Sequence, residues 1–347
     1  MTNLQPTLSS SNRSYAWLMS PMVITLSIMI AAAILASMDK GAYVLINTIV
    51  IGGMWALMAM GLTLMFSVMN IPNFSYGEYF MIGTLAAYFI FTPLKHYLNL
   101  HPNGFLIVAA PVIAIFGAAC AGGLAGAITE KVVFHQLRKR TREQWLLNCF
   151  ALTIGLSVIL INGHQLIFGT DFKGIVNYWD VSPLHLLGVS ISVERIFAFI
   201  LAVFTITLFW VFLKFSKIGK AIRAVSEDES GALMVGINFD NIQTFTMSLS
   251  CALAALAGGA LLFMFPSTPT VGVAPLYYSW FVIIVVGMGN IAGAGIGGFL
   301  VALIQVLTRV YVGEGLEFVV PSALMIVILV FKPSGIFGAQ VRSIWDQ

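Results

Sequence analysis

Ten apolar runs, most of them near the length a bilayer demands, leave this chain few ways to fold. They lie near 16–38, 43–69, 78–94, 105–129, 146–168, 196–213, 242–265, 276–288, 294–311 and 318–331. A straight helical span needs about 20 apolar residues. In lipid every backbone polar group must find its partner inside the protein, which a helix achieves within one segment. The expected fold is an all-α, polytopic membrane bundle of about eight to ten transmembrane helices. Composition agrees: 59% of the 347 residues are hydrophobic and 9% charged, against about 45–50% and about 25% in soluble domains. Mean hydropathy is +0.95. No soluble domain of ordinary size fits between the runs.

The first run, Ala16 to Met38, is interrupted only by Ser20-Pro21 and follows a polar stretch carrying Arg13. It is long for a signal-peptide core and long enough to span, so a retained helix is expected. Several later runs are short and meet Gly- or Pro-rich breaks, where broken or re-entrant helices are expected.

Positive charge sets a direction. Lys131, Arg138, Lys139, Arg140 and Arg142 cluster in one loop, and Lys214, Lys217, Lys220 and Arg223 in another. One alternation of spans puts both clusters inside with Arg13, Lys332 and Arg342, so both termini are expected in the cytoplasm. Lys40, Lys95, Lys173, Arg195 and Arg309 then lie outside or near the outer surface. Gly169 to Glu194 becomes the longest external loop, and its Tyr178 and Trp179 suit an interfacial position.

Two interruptions are chemically distinctive. In Asn70-Ile71-Pro72-Asn73-Phe74-Ser75-Tyr76-Gly77-Glu78, Pro72 stops one helix because it lacks an amide hydrogen. Ser75 with Glu78 has the Ser-x-x-Glu spacing of a capping box for the next. Glu78 is either a functional ionisable group between spans or a solvated capping residue. Asn73, Ser75, Tyr76 and Glu78 are the candidates for a translocation path. The second interruption, Gly287 to Gly298, holds six glycines in twelve positions. Close helix packing is the reading for Gly287, Gly289, Gly293, Gly297 and Gly298. Ala118, Gly122 and Gly126 form a weaker small-residue seam.

Between two spans, the polar loop Lys214–Asn241 carries a compact helical word. Ser226 with Glu229 reads as a second capping box, Glu227 and Asp228 suit the positive end of a helix dipole, and Gly236 is a C-terminal stop. A capped helix from Ser226 to Val235 is expected, either as a docking element or as an ordinary solvated loop.

Catalytic signals are missing. His96, His101, His135, His164 and His185 are scattered, and His164 reads as a satisfied polar contact. Cys120, Cys149 and Cys251 have no metal spacing. No GKS or GKT phosphate-loop word occurs. Neither an enzyme, a cofactor, a metal site nor nucleic-acid binding is expected.

Four patches carry a resemblance. Asn73-Phe74-Ser75-Tyr76-Gly77-Glu78, the loop GKAIRAVSEDESGALMVGIN, the segment Gly287 to Gly298 and the tail Lys332-Pro333-Ser334-Gly335-Ile336-Phe337-Gly338 are similar to words of the permease subunits of branched-chain amino acid ABC importers. Order and spacing fit from about residue 43 to 338, leaving 1–42 as a tail plus an extra span and 339–347 as a tail. Ser75-Tyr76 stands for the family's Ala-His, and Val286 for a frequent glycine. The resemblance implies a non-catalytic membrane subunit of a cell inner membrane importer. It would pair with a sister permease or itself, with two separate ATPase subunits, and with an extracytoplasmic solute-binding protein. Arg223, Ser226, Glu227, Asp228, Glu229, Gly236, Ile237 and Asn238 would couple to an ATPase. The substrate would be a branched-chain or other neutral amino acid, or urea or a short amide. An ion-coupled secondary transporter or channel is the alternative from another class, since broken helices and an intramembrane acid would serve it equally well.

Overall fold

A computed structural model describes residues 21–140, 145–179, 181–186 and 189–337. Arg13, Arg142, Arg342, Gly338 and the flanking tails lie outside the described residues. The elements run α1 (Pro21–Lys40), α2 (Tyr43–Met69), α3 (Tyr76–Leu100), α4 (Gly104–Thr129), a π-turn (Glu130–Phe134), α5 (His135–Arg140) and α6 (Trp145–Phe168). The hairpin β1 (Leu184–Leu186) and β2 (Val189–Ile191) follows. Then come α7 (Val193–Phe215), α8 (Lys217–Glu227), α9 (Glu229–Met234), α10 (Phe239–Ala260), α11 (Val273–Val286), α12 (Ile291–Tyr311), a 3₁₀ turn (Glu314–Leu316) and α13 (Val319–Phe331).

Each of the ten apolar runs contains a helix. Among the described residues, eight helical stretches are long and apolar enough to cross a membrane. The other two are α3, diluted by polar residues such as Glu78 and Lys95, and α11, with only 14 residues. The bundle is built around α2, which is buried along most of its length. Trp55 at its middle stacks on Tyr278, 5.0 Å between ring centres, and donates its indole N–H to Gln305 Oε1 at 2.8 Å.

Small residues set the helix spacing. A Cβ on Gly298 would strike the backbone of Ala56, and one on Gly83 the backbone of Ala255. Gly122 and Gly126 let α4 close onto α10 at Ala255 and Cys251. Without a hydrophobic drive between helices in lipid, such close packing is what holds a bundle together. The glycine segment divides by role. Gly293, Gly297 and Gly298 are packing positions, the first two receiving Val286, while Gly287 (φ 110°) and Gly289 (φ 89°) form the turn between α11 and α12. At Gly287 and Gly289 the positive φ is a turn requirement in addition.

Tyr178 is turned into the protein: its ring meets Phe91 edge-on and its hydroxyl donates to the Gly259 carbonyl. One expectation changes here. His164 is buried, and neither ring nitrogen has a hydrogen-bond partner among the described residues.

The five basic residues expected outside lie at one end of the bundle. Arg195 bonds Asn47 at the start of α2, Lys95 bonds the Asn177 carbonyl, the Lys173 backbone pairs with Ser267, and Lys40 sits over the ring of Tyr311, near Arg309. The α8–α9 pair and the π-turn lie at the other, about 34 Å away along the 23-residue α7.

Candidate functional site

The first break re-enters the bundle. Asn70 ends α2 in the left-handed region (φ 53°), which asparagine tolerates better than most residues. Asn73 then organises the turn, its Oδ1 accepting from the Ser75 amide (2.9 Å) and hydroxyl (2.7 Å). The tyrosine after the break reaches the middle of α10, where Tyr76 donates to the Ser250 carbonyl at 3.1 Å. Helix α3 thus starts well inside the protein, as a chain break at this depth requires.

Ser75 is the N-cap residue of α3, but its side chain makes no cap bond. The expected box with Glu78 is not formed: the Glu78 amide donates to the Ser75 backbone carbonyl at 3.1 Å, and the serine hydroxyl donates to Asn73. Glu78 is neither solvated nor a cap. It is 1% exposed, Oε1 accepts from the Ser157 hydroxyl of α6 at 2.7 Å, and Oε2 has no partner among the described residues.

The second re-entry was less legible. After α10 the chain turns back through residues 261–272, pinned by paired backbone bonds between Lys173 and Ser267, and Gly272 is the N-cap residue of α11. There the two interrupted helices meet. A Cβ on Gly77 would collide with the Gly272 carbonyl, and one on Gly272 with that of Gly77.

Beside this junction opens a groove of about 1080 Å³, lined by Pro72, Phe74, Thr270, Tyr277, Trp280 and Met325 among others. Phe74 stacks on Trp280 at 5.3 Å and meets Phe150 edge-on at 5.1 Å. The side chains of Asn73, Ser75, Tyr76 and Glu78 are all buried away from it. The break is legible in the sequence and the aromatic side chains beside it are not. Phe74 alternates with Asn73 and Ser75, so one face of the turn is polar and buried while the other is aromatic and open.

At the far end, the polar loop forms two helices with a corner at Asp228. Ser226 lies in the last turn of α8 and donates to the Arg223 carbonyl at 2.8 Å, so it caps nothing. Glu227 ends a helix instead of beginning one. The caps are elsewhere: Ser216 accepts from the Gly219 amide at 2.8 Å, and Asn238 from the Asn241 amide at 3.1 Å. Gly236 does stop α9, at φ 83°. Its amide donates to the Leu233 carbonyl and that of Ile237 to the Ala232 carbonyl, the paired bonds of a Schellman ending. Ile222, Val225 and Ala232 face the bundle, while Arg223 and Ser226 to Glu229 are exposed. So are Met234 (88%) and Val235 (77%), an apolar tip that charge patterning gave no reason to notice.

An ion network, buried at Glu130 and open to solvent at Asp240, ties this end together. Arg138 Nη2 pairs with Glu130 Oε1 at 2.6 Å, and Nη1 approaches Asp240, in the first turn of α10, at 3.6 Å. The guanidinium also lies over Trp145 and Phe239. Beside Glu130, Thr129 accepts from the Tyr79 hydroxyl of α3 at 2.8 Å. The described tail motif docks nearby. Ile336 and Phe337 donate to the Val285 and Val286 carbonyls, satisfying the end of α11, and Gly335 fits against Gly287. Among the described residues, no group of three or more His, Cys, Asp or Glu is arranged to hold a metal ion.

A family model described as the branched-chain amino acid transport system permease component matches residues 44–329. The chain is 28% identical over 297 residues to the high-affinity branched-chain amino acid transport system permease protein LivH of Escherichia coli (strain K12), covering 84% of this chain and 94% of the relative. It is 29% identical over 299 residues to BraD, a permease protein of the same description from Pseudomonas aeruginosa, covering 85% and 94%. It is also 29% identical over 314 residues to the probable branched-chain amino acid transport permease protein LivH of Methanocaldococcus jannaschii, covering 87% and 94%. No solved structure matches.

Proposed function

The chain belongs to the family of branched-chain amino acid transport system permease components, and on that premise we propose that it forms one wall of a translocation path for a neutral, aliphatic amino acid. It is a multi-pass protein of the cell membrane. The observation that carries the reading is the meeting of two interrupted helices at Gly77 and Gly272 beside an open aromatic groove. Ligand sites in transporters form where discontinuous helices end at depth. A second permease, a sister chain or another copy, closes the open side. Asn73, Ser75, Tyr76 and Glu78 hold the turn from behind, and Phe74 and Trp280 face the passing solute.

The α8–α9 end is cytoplasmic in this reading, with both termini on the same side, because the basic clusters gather there. One of two separate ATPase subunits receives the corner at Asp228 and the apolar tip Met234-Val235. Arg223, Ser226, Glu227, Asp228 and Glu229 present the polar contacts around it. Gly236, Ile237 and Asn238 join the corner to α10, so a push on the pair moves α10 and, through Arg138 and Thr129, the start of α3. A solute-binding protein delivers ligand at the opposite end.

The test is co-purification in mild detergent followed by reconstitution. An ATPase pair and a second permease should come with the chain, and labelled leucine uptake should require ATP and the binding protein. A chain that purifies alone and transports without ATP would be an ion-coupled carrier, with Glu78 its first candidate for coupling.

A further inference from the structure

A pocket of about 520 Å³ opens at the end of the bundle opposite α8–α9, between the starts of α2 and α7, the β1–β2 hairpin and the α10–α11 connection. Its volume is in the range of small-molecule sites. Glu194 and Arg195 line it side by side in the first turn of α7. Glu194 is only 4% exposed, and Oε1 accepts from the Trp179 amide at 3.4 Å. Arg195 Nη1 donates to Asn47 Oδ1 at 2.8 Å. Among the described residues, the hydrogen-bond partners of both charges are neutral. A buried charge without a counter-charge is costly, and here the two signs face one cavity. The lining also includes the apolar side chains of Ile46, Val189, Phe263 and Met264.

We propose that this pocket is an outer subsite for an aliphatic α-amino acid, occupied between delivery and the central groove. The solute's carboxylate pairs with Arg195, whose planar fork suits it. Its ammonium pairs with Glu194, and its side chain lies on Met264 and Phe263. A zwitterion brings both counter-charges and no net charge, which an amine, an organic acid or urea does not. The position fits the route: the connection 261–272 offers Met264 to this pocket and Thr270 to the groove, so it forms the partition between them. The proposal rests on the amino acid importer reading.

The test uses the assembled complex in proteoliposomes with saturating, leucine-loaded binding protein. Arg195→Gln and Glu194→Gln should each lower leucine uptake about tenfold or more, the loss of one charged hydrogen bond, while Arg195→Lys recovers part of it. Lys40→Gln, an exposed charge removed at the same end outside the pocket, should stay near the wild-type rate. Occupancy is read separately with Glu194 and Arg195 both in place. A Ser190→Cys complex on a Cys120→Ala background should be labelled by an impermeant maleimide, and free leucine should slow that labelling where isopentylamine, which lacks the carboxylate, does not. Wild-type uptake in both charge variants, or no protection by leucine, would overturn the subsite. So would a loss of uptake traced wholly to weaker binding-protein association, which would make the pair a docking contact. If the wild-type complex moves no neutral amino acid at all, the importer reading fails first, and the subsite with it.

Discussion

Gly77 and Gly272 face each other across two helix starts with no room for a Cβ on either. Gly77→Ala must push one backbone away from the other, a strain of about 1–3 kcal/mol placed at the junction itself. Uptake should be lost in a complex that still assembles, measured by leucine transport and gel filtration of the same preparation. Gly236 is a different case, since a Cβ there meets nothing within 4 Å and only its φ of 83° opposes substitution. Gly236→Val therefore costs about 1–2 kcal/mol of backbone strain. It should reduce solute-stimulated ATP hydrolysis without affecting membrane insertion, and wild-type uptake would refute a role for the turn. Glu78 gives the third residue-scale prediction. Glutamine keeps the Oε1 acceptor for Ser157, so Glu78→Gln should preserve uptake and assembly. Loss of uptake alone would give the carboxylate a part in transport beyond fixing α6 to the break.

Helix ends carry the predictions at the next scale. A capping box at Ser226 makes Ser226→Ala damaging, whereas its hydroxyl bonds back within α8 to Arg223. Ser226→Ala should thus change the melting temperature of the complex little, within about 0.5 kcal/mol. Ser216→Ala and Asn238→Ala remove the caps that do form and should each cost about 0.5–2 kcal/mol, read by thermal unfolding. The Ser-x-x-Glu spacing occurs twice and caps neither time, for different reasons. At Ser75 the Glu78 amide that the hydroxyl would cap goes instead to the Ser75 backbone carbonyl. At Ser226 the preceding helix continues through the serine. A local pattern names a bond that the chain can make, and the competing bonds decide whether it does.

Across the whole molecule, one guanidinium joins elements far apart in sequence. Arg138 touches Glu130, Asp240, Trp145 and Phe239, so it links the end of α4 to the starts of α6 and α10. Glu130 is 1% exposed, and removing one partner of a buried pair costs about 3–5 kcal/mol because the other charge is stranded. Arg138→Met should destabilise the complex by that order. The double variant Arg138→Met with Glu130→Gln should recover much of the melting temperature. If the network also transmits motion from α8–α9, the double variant will hydrolyse ATP with fewer leucine molecules moved per ATP. Equal stoichiometry to wild type would reduce the network to a structural tie.

The membrane bundle was legible in the sequence because hydropathy is additive along a segment: each apolar run carries enough residues to declare a helix by itself. The two interruptions were legible for a similar reason, since proline and glycine act on their own backbone. Gly236 could be placed as a helix stop from one residue and its neighbours. What no segment declares is which interruption meets which. Gly77 and Gly272 lie almost two hundred positions apart, and their contact depends on the crossing of α2, α3, α10 and α11, set by glycines such as Gly83, Gly258 and Gly298 acting in pairs. The same holds for the groove wall. Asn73, Ser75 and Glu78 drew notice because they are polar, yet packing turned them inward to satisfy buried partners and left Phe74 and Trp280 at the opening. In a bilayer, polarity marks what must be paired inside the protein. Only the tertiary structure decides which surface remains for a solute.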